Sequence, residues 1–469
     1  MQPSMFNTCV PFPDRGEAFL MNTLTDAQLV VSSDVVGLLD RLAGLANDRE
    51  DVFSADEQDT LTQLAAHGFV VQDRETERLA LDRFFRDVRE DTSQLRVTVL
   101  TTLQCNFACS YCFQGDHGVS TAADKMSLQT ADRVATWIES RLDKVKPESF
   151  SLTFFGGEPL LNLPATYYLA ERLWERTQAQ GVVMSINLIT NGLLLTPEVV
   201  DRLTPLGLNG VKITLDGDRD THDQMRPLRG GQGTFDRIIE NIRRVAGRCR
   251  IAIGGNFDEA SVDSYPALLD FLKEQEFADS LVQVAFKPIV REMPQSIQSG
   301  VLSLTPVGSD GKPLNGTCMS SAGAGGSSPC DTCHFVDEKM SFLREETKKR
   351  GFPTLDGVHM GPCEIHKRHA YTIGPNGSLY ACPGFTGELS DAVGHVDGRR
   401  ETRLDQAAAK FEDVAAWKEC GDCSFIPVCA GGCSVASHTE LLDMNRPSCH
   451  KGSFEPALVA LAHETIRSL

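Results

Sequence analysis

The chain has 469 residues, too many for one ordinary hydrophobic core, so two to four folded units are expected. Its formal net charge of −19 argues against a nucleic-acid backbone as partner, since an acidic surface repels phosphates. No apolar run reaches the ~18 residues of a membrane helix, and Met1–Arg15 holds Pro3, Pro11 and Pro13 in place of the charged start and apolar core of a signal peptide.

Residues 17–90 read as a small unit at the front. Glu17–Val31 alternates about Thr25-Asp26 as a hairpin does. Ser33-Asp34 caps a helix running to about Ala46, and Ser54-Ala55-Asp56-Glu57 is a capping box ahead of Leu61 and Leu64. Gly68 ends that helix, and Phe69–Val71 returns as a strand. Short strands and helices in this order fit a winged-helix-like module, residues 1–92, whose acidity argues against DNA. A plain cap on the next domain is the other reading.

From about Leu95 to Pro288 strands and helices alternate. The strands are expected at Leu95–Thr101, Phe150–Phe155, Val183–Thr190, Gly210–Leu215, Ile251–Asn256 and Val282–Lys287. The helices between them are expected at Leu128–Lys144, Ala165–Gln178, Pro197–Leu203, Phe235–Val245 and Tyr265–Gln275. Such βα units imply an α/β fold with parallel strands and right-handed crossovers. The segment 93–290 is too short for a closed eight-unit barrel, so an open partial (β/α)6 barrel of the TIM type fits better.

The loop after the first strand reads Cys105-Asn106-Phe107-Ala108-Cys109-Ser110-Tyr111-Cys112. Three thiols this close on one loop can converge on a single small object. A four-iron cubane is held by cysteine thiolates, and three protein ligands leave one iron open. A structural zinc site is the plainer alternative, but it wants a fourth ligand. Other strand ends carry polar, glycine-containing turns. Phe155-Gly156-Gly157-Glu158-Pro159 lets the backbone approach a ligand and offers a carboxylate for an ammonium group. Ile189-Thr190-Asn191-Gly192 and Thr214-Leu215-Asp216-Gly217 end the third and fourth strands. Each of these turns alone could be an ordinary loop start.

Residues 291–360 are rich in Gly, Ser and Pro and read as a linker carrying Cys318, Cys330 and Cys333, with a helix from Asp337 to Arg350. Beyond it come Cys363, Cys382, Cys420, Cys423, Cys429, Cys433 and Cys449, within the unit 361–469. Seven cysteines in this spacing favour metal ligation in a reducing cytoplasm over disulfides; a zinc ribbon over Cys420–Cys433 is the plainer alternative. Cys9 and Cys249 stand alone and read as buried thiols.

The CxxxCxxC spacing with Tyr111 before its last cysteine resembles the radical S-adenosylmethionine (radical SAM) enzymes, and the later cysteines resemble their SPASM extension. The resemblance implies a [4Fe-4S] cluster on Cys105, Cys109 and Cys112, which reductively cleaves SAM to a 5′-deoxyadenosyl radical. It implies a SAM pocket lined by Gly156, Gly157, Glu158, Thr190, Asn191 and Asp216, with Glu158 on the SAM ammonium. It further implies an outer cluster on Cys420, Cys423, Cys429 and Cys449 and an inner one on Cys363, Cys382 and Cys433, three clusters in all. The inner cluster's fourth ligand is left between Cys330, Cys333 and an open iron. An electron donor such as flavodoxin or ferredoxin is implied as well.

Two activities compete within that resemblance. A maturase of ribosomally made peptides would abstract hydrogen from a precursor and install a thioether, carbon–carbon or related link. An anaerobic sulfatase maturase would make formylglycine, but there an Asp usually follows the second SPASM cysteine, whereas Cys382 precedes Pro383-Gly384-Phe385. The front module favours the peptide maturase, because it resembles the peptide-recognition domain of such enzymes. The hairpin Glu17–Val31 is then the expected docking edge, with Phe19, Met21, Leu29 and Val31 as apolar contacts. A non-catalytic scaffold is a third reading, disfavoured by the complete Cys105/Cys109/Cys112 set and Glu158.

Overall fold

The computed structural model describes residues 1–44, 53–114, 124–289, 331–354, 358, 361–386, 389–399, 402–412, 414–441, 443–449 and 451–468. The N-terminal part begins with β1 (Gln2–Pro3), followed by β2 (Asn7–Phe12), β3 (Glu17–Asn22) and β4 (Ala27–Ser32). Strands β2, β3 and β4 form an antiparallel sheet, in which Asn22 faces Ala27 across the hairpin expected there. Asp26 takes a left-handed φ of 58° in that turn. Helices α1 (Ser33–Gly44) and α2 (Ala55–Ala66) follow. Ser54 and Glu57 close the capping box at the start of α2. Strand β5 (Val70–Val71) pairs with β1, and α3 (Arg74–Glu90) leads into the central sheet.

This part does not stand alone. Leu20 packs under α1 and α2, while Phe19 and Met21, on the other face of β3, pack against Phe425, Ala457, Leu458 and Ala462 near the C-terminus. Phe85 of α3 stacks on Trp417 with ring centroids 4.5 Å apart. Phe19 and Met21 are therefore core residues, fully shielded from any peptide, because β3 is the central strand and both its faces are covered. The edges are β2 and β4, and in β4 Leu29 and Val31 are only partly buried.

The central sheet is built by period-two alternation. Strands β6 (Gln94–Leu100), β7 (Ser149–Phe155), β8 (Val183–Thr190), β9 (Leu208–Thr214), β10 (Ile251–Phe257) and β11 (Leu281–Pro288) lie side by side in that order, all parallel. In β7, Phe150, Leu152 and Phe154 are fully buried, whereas Ser151 and Thr153 on the opposite face are half-buried. The buried face lies under α4 (Leu128–Val145), α5 (Leu163–Gln180), α6 (Pro197–Leu203), α8 (Phe235–Val245) and α9 (Tyr265–Lys273). A further short helix, α7 (Arg219–Met225), was not expected from the sequence. Among the described residues the other face is polar and at least partly exposed, with Thr98, Ser151, Asn187, Lys212, Asn256 and Lys287 along it.

The C-terminal part closes onto both ends of this sheet. Helix α10 spans Asp331–Lys349, six residues earlier at its start than the sequence suggests, and packs on β11 and α9. At the opposite end β12 (Ala370–Ile373) pairs parallel with β6, and β13 (Ser378–Tyr380) and β14 (Gly394–His395) continue antiparallel. Then come α11 (Thr402–Glu412), α12 (Ile426–Cys429), α13 (Ser434–Leu441) and α14 (Lys451–Ser468). No helix of the described residues is long and apolar enough to cross a membrane.

Candidate active site

The loop Cys105–Cys112 sits over the C-terminal ends of the parallel strands, where a parallel sheet presents its chemistry. It is held from two sides. On one side, Gly157 N–H donates to Thr102 O at 3.0 Å and Glu158 N–H to Gln104 O at 2.9 Å. A Cβ at position 156 would lie 2.2 Å from Thr102 O, and one at 157 would lie 2.3 Å from Gln104 O, so only glycines permit this approach. On the other side, Ala108 N–H donates to Pro227 O at 2.9 Å and Arg229 Nε to Cys105 O at 2.8 Å.

Glu158 is fully buried and ties the ends of β7 and β8 together. Its carboxylate accepts from Leu160 N–H (3.0 Å), Thr190 Oγ1 (2.8 Å) and Asn191 N–H (2.8 Å). Burial raises its pKa, and those three donors oppose the rise. Asn191 Nδ2 in turn donates to Asn106 Oδ1 at 2.7 Å and lies 3.9 Å from Cys105 Sγ. Glu158, Thr190 and Asn191 thus meet the cysteine loop as one network.

Asp216, fully buried at the end of β9, anchors a second network. It accepts from Tyr111 Oη, from Arg226 Nη1 at 3.5 Å and from Asn256 N–H at 2.7 Å. Arg226 also donates to Tyr111 Oη at 2.5 Å, and its guanidinium lies 5.5 Å from the Phe107 ring centroid. Its Nε is buried and makes no hydrogen bond to protein. Below them His222 Nδ1 accepts from Asp216 N–H at 3.1 Å, and its Nε2 faces Thr234 Oγ1 at 3.1 Å. Arg226, His222 and Asn256 were missed in the sequence. The signal was partial: His222 and Arg226 are four residues apart, with His222 on α7 and Arg226 just past its end.

The twelve cysteines whose side chains are described are free thiols, and Cys9, expected to be buried, is exposed. Burial pushes Cys105 up to about 11 and also raises Cys109, with Arg226 opposing the rise in both. The later thiols fall into two groups. Cys382, pushed up to about 12 by burial, has Cys363 and Cys433 as charge neighbours. Cys429, also pushed to about 12 by burial, neighbours Cys420, Cys449 and Cys423. The described residues offer no set of three His, Cys, Asp or Glu tight enough for one metal ion. Partly buried thiols that repel one another as thiolates are a donor set suited to a cationic cluster, which deprotonates its ligands outright. Cys330 lies outside the described residues; Cys333 falls on α10.

Comparison with known proteins agrees. Residues 99–255 match the model of the radical SAM superfamily. The serine-type anaerobic sulfatase-maturating enzyme of Bacteroides thetaiotaomicron is 22% identical over 349 residues, covering 70% of this chain and 80% of that one. With the AdoMet-dependent heme synthase of Methanosarcina barkeri, 31% identical over 142 residues, the match covers 30% of this chain and 36% of the relative. Among solved structures, anSMEcpe with bound AdoMet and Cp18Cys peptide superposes with a TM-score of 0.57 at 15% identity, covering 80% of this chain and all of that one. Streptococcus suis SuiB bound to precursor peptide SuiA superposes at 0.50 and 13%, covering 96% and 98%. The likeness in both is one of fold. The chain therefore carries a radical SAM domain, and its relatives are enzymes.

Proposed function

We propose that the protein is a radical SAM peptide maturase that abstracts hydrogen from a ribosomally made precursor peptide and installs a thioether, carbon–carbon or related link. The observation that carries this reading is the juxtaposition of three thiol sets with the polar face of the sheet and an N-terminal module with a strand edge at β4. In this reading residues 1–92 are a winged-helix-like recognition module, 93–290 the radical SAM core, 291–360 a bridge and 361–469 a SPASM extension.

Cys105, Cys109 and Cys112 would hold the [4Fe-4S] cluster that, with SAM bound, supplies a 5′-deoxyadenosyl radical. Cys420, Cys423, Cys429 and Cys449 would hold a second cluster, and Cys363, Cys382 and Cys433 a third. Cys330 or Cys333 completes the third if it loops back. Gly156, Gly157, Thr190, Asn191 and Asp216 shape the SAM pocket. Glu158 already accepts three bonds, and a carboxylate has about four lone-pair sites, so one remains for the SAM ammonium. The unpartnered Nε of Arg226 suits the SAM carboxylate. Flavodoxin or ferredoxin would deliver the electron. β4 can accept a leader peptide as one more strand, through Leu29 and Val31.

The rival is formylglycine formation, which the likeness to a sulfatase-maturating enzyme keeps in play. Here Pro383, Gly384 and Phe385 follow Cys382 and offer no carboxylate base. The test is anaerobic turnover of a candidate precursor with SAM and dithionite, read by mass spectrometry. A product lighter by two hydrogens that resists hydrazine reagents and fragments poorly between two linked residues supports the maturase. A hydrazine-reactive aldehyde at Ser or Cys refutes it.

A further inference from the structure

The open face of the sheet carries two lysines that the reading above does not use. Lys212 on β9 and Lys287 on β11 both lie on the face away from the helices, since Val211, Ile213, Val284 and Phe286 point into the core. Strand register fixes the geometry. Lys212 pairs with Ala252 of β10, while Lys287 pairs with Asn256, four residues further towards the C-terminal ends. Between those levels stands Gly254, pointing the same way. A Cβ there would lie 2.7 Å from Lys212 Cε and 3.5 Å from its Nζ. The lysine stem thus lies across the glycine, and its ammonium is carried up towards Lys287 and the cysteine loop.

Neither ammonium has a hydrogen bond or ion pair among the described residues, in a chain with 64 acidic and 45 basic residues. Lys212 is open to water yet surrounded closely enough that burial, and then the charge of Lys287, lowers its pKa. Lys287 is in turn felt as a positive charge by Cys382. Its register partner Asn256 lies 3.4 Å from Tyr111 Oη of the first cysteine loop. The two lysines therefore stand on the open face near both thiol groups, and neither is paired with an acid among the described residues. Two like charges on one open face, with the Lys212 stem laid across Gly254 towards Lys287, favour an anion between them.

We infer that Lys212 and Lys287 form a carboxylate cradle for the substrate peptide, holding an Asp or Glu side chain next to the residue that is attacked. The inference rests on the peptide-maturase reading and names the chemistry of its substrate. Two ammonium groups offer charge-assisted bonds to one carboxylate, and an Asn in its place would forfeit them.

The test uses the reconstituted full-length enzyme and two fluorescein-labelled, C-terminally amidated peptides, Gly-Ala-Ala-Asp-Ala-Ala-Gly and its Asn twin, followed by anisotropy. SAM affinity is measured in parallel by equilibrium dialysis. The Asp peptide should bind about tenfold tighter than the Asn peptide. The Lys212→Gln/Lys287→Gln double variant should erase that preference, and Lys212→Arg/Lys287→Arg should keep it. Equal binding of both peptides overturns the cradle while leaving the peptide reading intact. Binding of neither peptide overturns both. A fall in SAM affinity in the double variant would give the ammonium groups to the SAM carboxylate and overturn the inference.

Discussion

The two regions that gather thiols are held by opposite means. The Cys105–Cys112 loop is clamped by polar groups at the ends of the parallel sheet: Glu158 and Asn191 on one side, Asp216 and Arg226 on the other. Around the C-terminal thiols, regular structure is short, and what covers them is apolar and comes from the far end of the chain. Met5, Phe6, Leu81 and Phe85 pack on Ile426, Ala430, Cys420 and Cys423, and Val10 and Phe19 pack on Phe425. The first site is thus preorganised by a network buried in one continuous sheet. The second depends on contacts between sequence-distant segments, whose order is bought only when both are folded.

The largest expected effect separates the two sites outright. Replacing Cys105, Cys109 and Cys112 together by Ala should remove about four irons per chain and all SAM cleavage, with the far-ultraviolet circular dichroism unchanged because backbone bonds at Gly157, Glu158, Ala108 and Arg229 still hold the loop. Replacing Cys420, Cys423, Cys429 and Cys449 should also remove about four irons, yet leave SAM cleavage measurable and make the C-terminal region sensitive to protease. Retained cleavage in the first variant would refute the proposed role of that loop.

Next in size, Arg226→Gln strands the fully buried carboxylate of Asp216, a loss of about 3–5 kcal/mol by the usual cost of breaking a buried pair. Phe85→Ala deletes a buried ring stacked on Trp417 and should cost about 3–5 kcal/mol at the junction of the two ends. The comparison predicts different addresses for the damage. Hydrogen exchange should rise around β6, β9 and the first cysteine loop in the Arg226 variant, and around α3 and residues 417–430 in the Phe85 variant. Matching exchange maps would mean that the regions do not differ in the way described.

How far the sequence could be read follows the same division. Strands β8 and helices α6 and α8 fall where apolar periodicity puts them, because each must bury one face against the same core. The Ser54/Glu57 capping box is likewise local chemistry. Phe19 and Met21 defeat that logic: alternation marks them as one face of a hairpin, but the partner that buries them lies more than 400 residues away. Arg226 was only partly legible, for a related reason. A lone cation just past a polar helix looks solvent-exposed until the fold places it against Tyr111.

A smaller effect tests how dry the Asp216 network is. Burial holds His222 well below the ordinary value of 6.5, with Arg226 adding to the shift, so the folded ring stays neutral where the unfolded one takes a proton. Its contribution to stability is full above 6.5 and is lost as the pH falls from there towards the folded value. The loss is at most about 1.4 kcal/mol per pH unit. Chemical denaturation at about pH 7.5 and about pH 5.5 should therefore show a smaller drop in His222→Gln than in the unmodified protein. An identical drop would place the acid sensitivity elsewhere.

The smallest effect concerns the ion pair that links the two ends of the chain. Arg78 Nη2 of α3 lies 3.2 Å from Asp422 Oδ1, between Cys420 and Cys423, and it looks like a latch. Both side chains are about two-thirds exposed, at 65% and 64%. Water and salt screen such a pair, and two long side chains lose rotamer freedom to make it, so pairs of this kind contribute roughly 0–1 kcal/mol. The apolar surface beside it, Leu81 and Phe85 against Ile426 and Ala430, is nearly shut off from solvent. Arg78→Ala should accordingly shift stability by less than about 0.5 kcal/mol, and added salt should change that little. A double-mutant cycle with Asp422→Ala measures the coupling directly. A coupling above about 1 kcal/mol would mean that charge holds the two ends together, and the polar–apolar contrast between the two thiol regions would fail at its own junction.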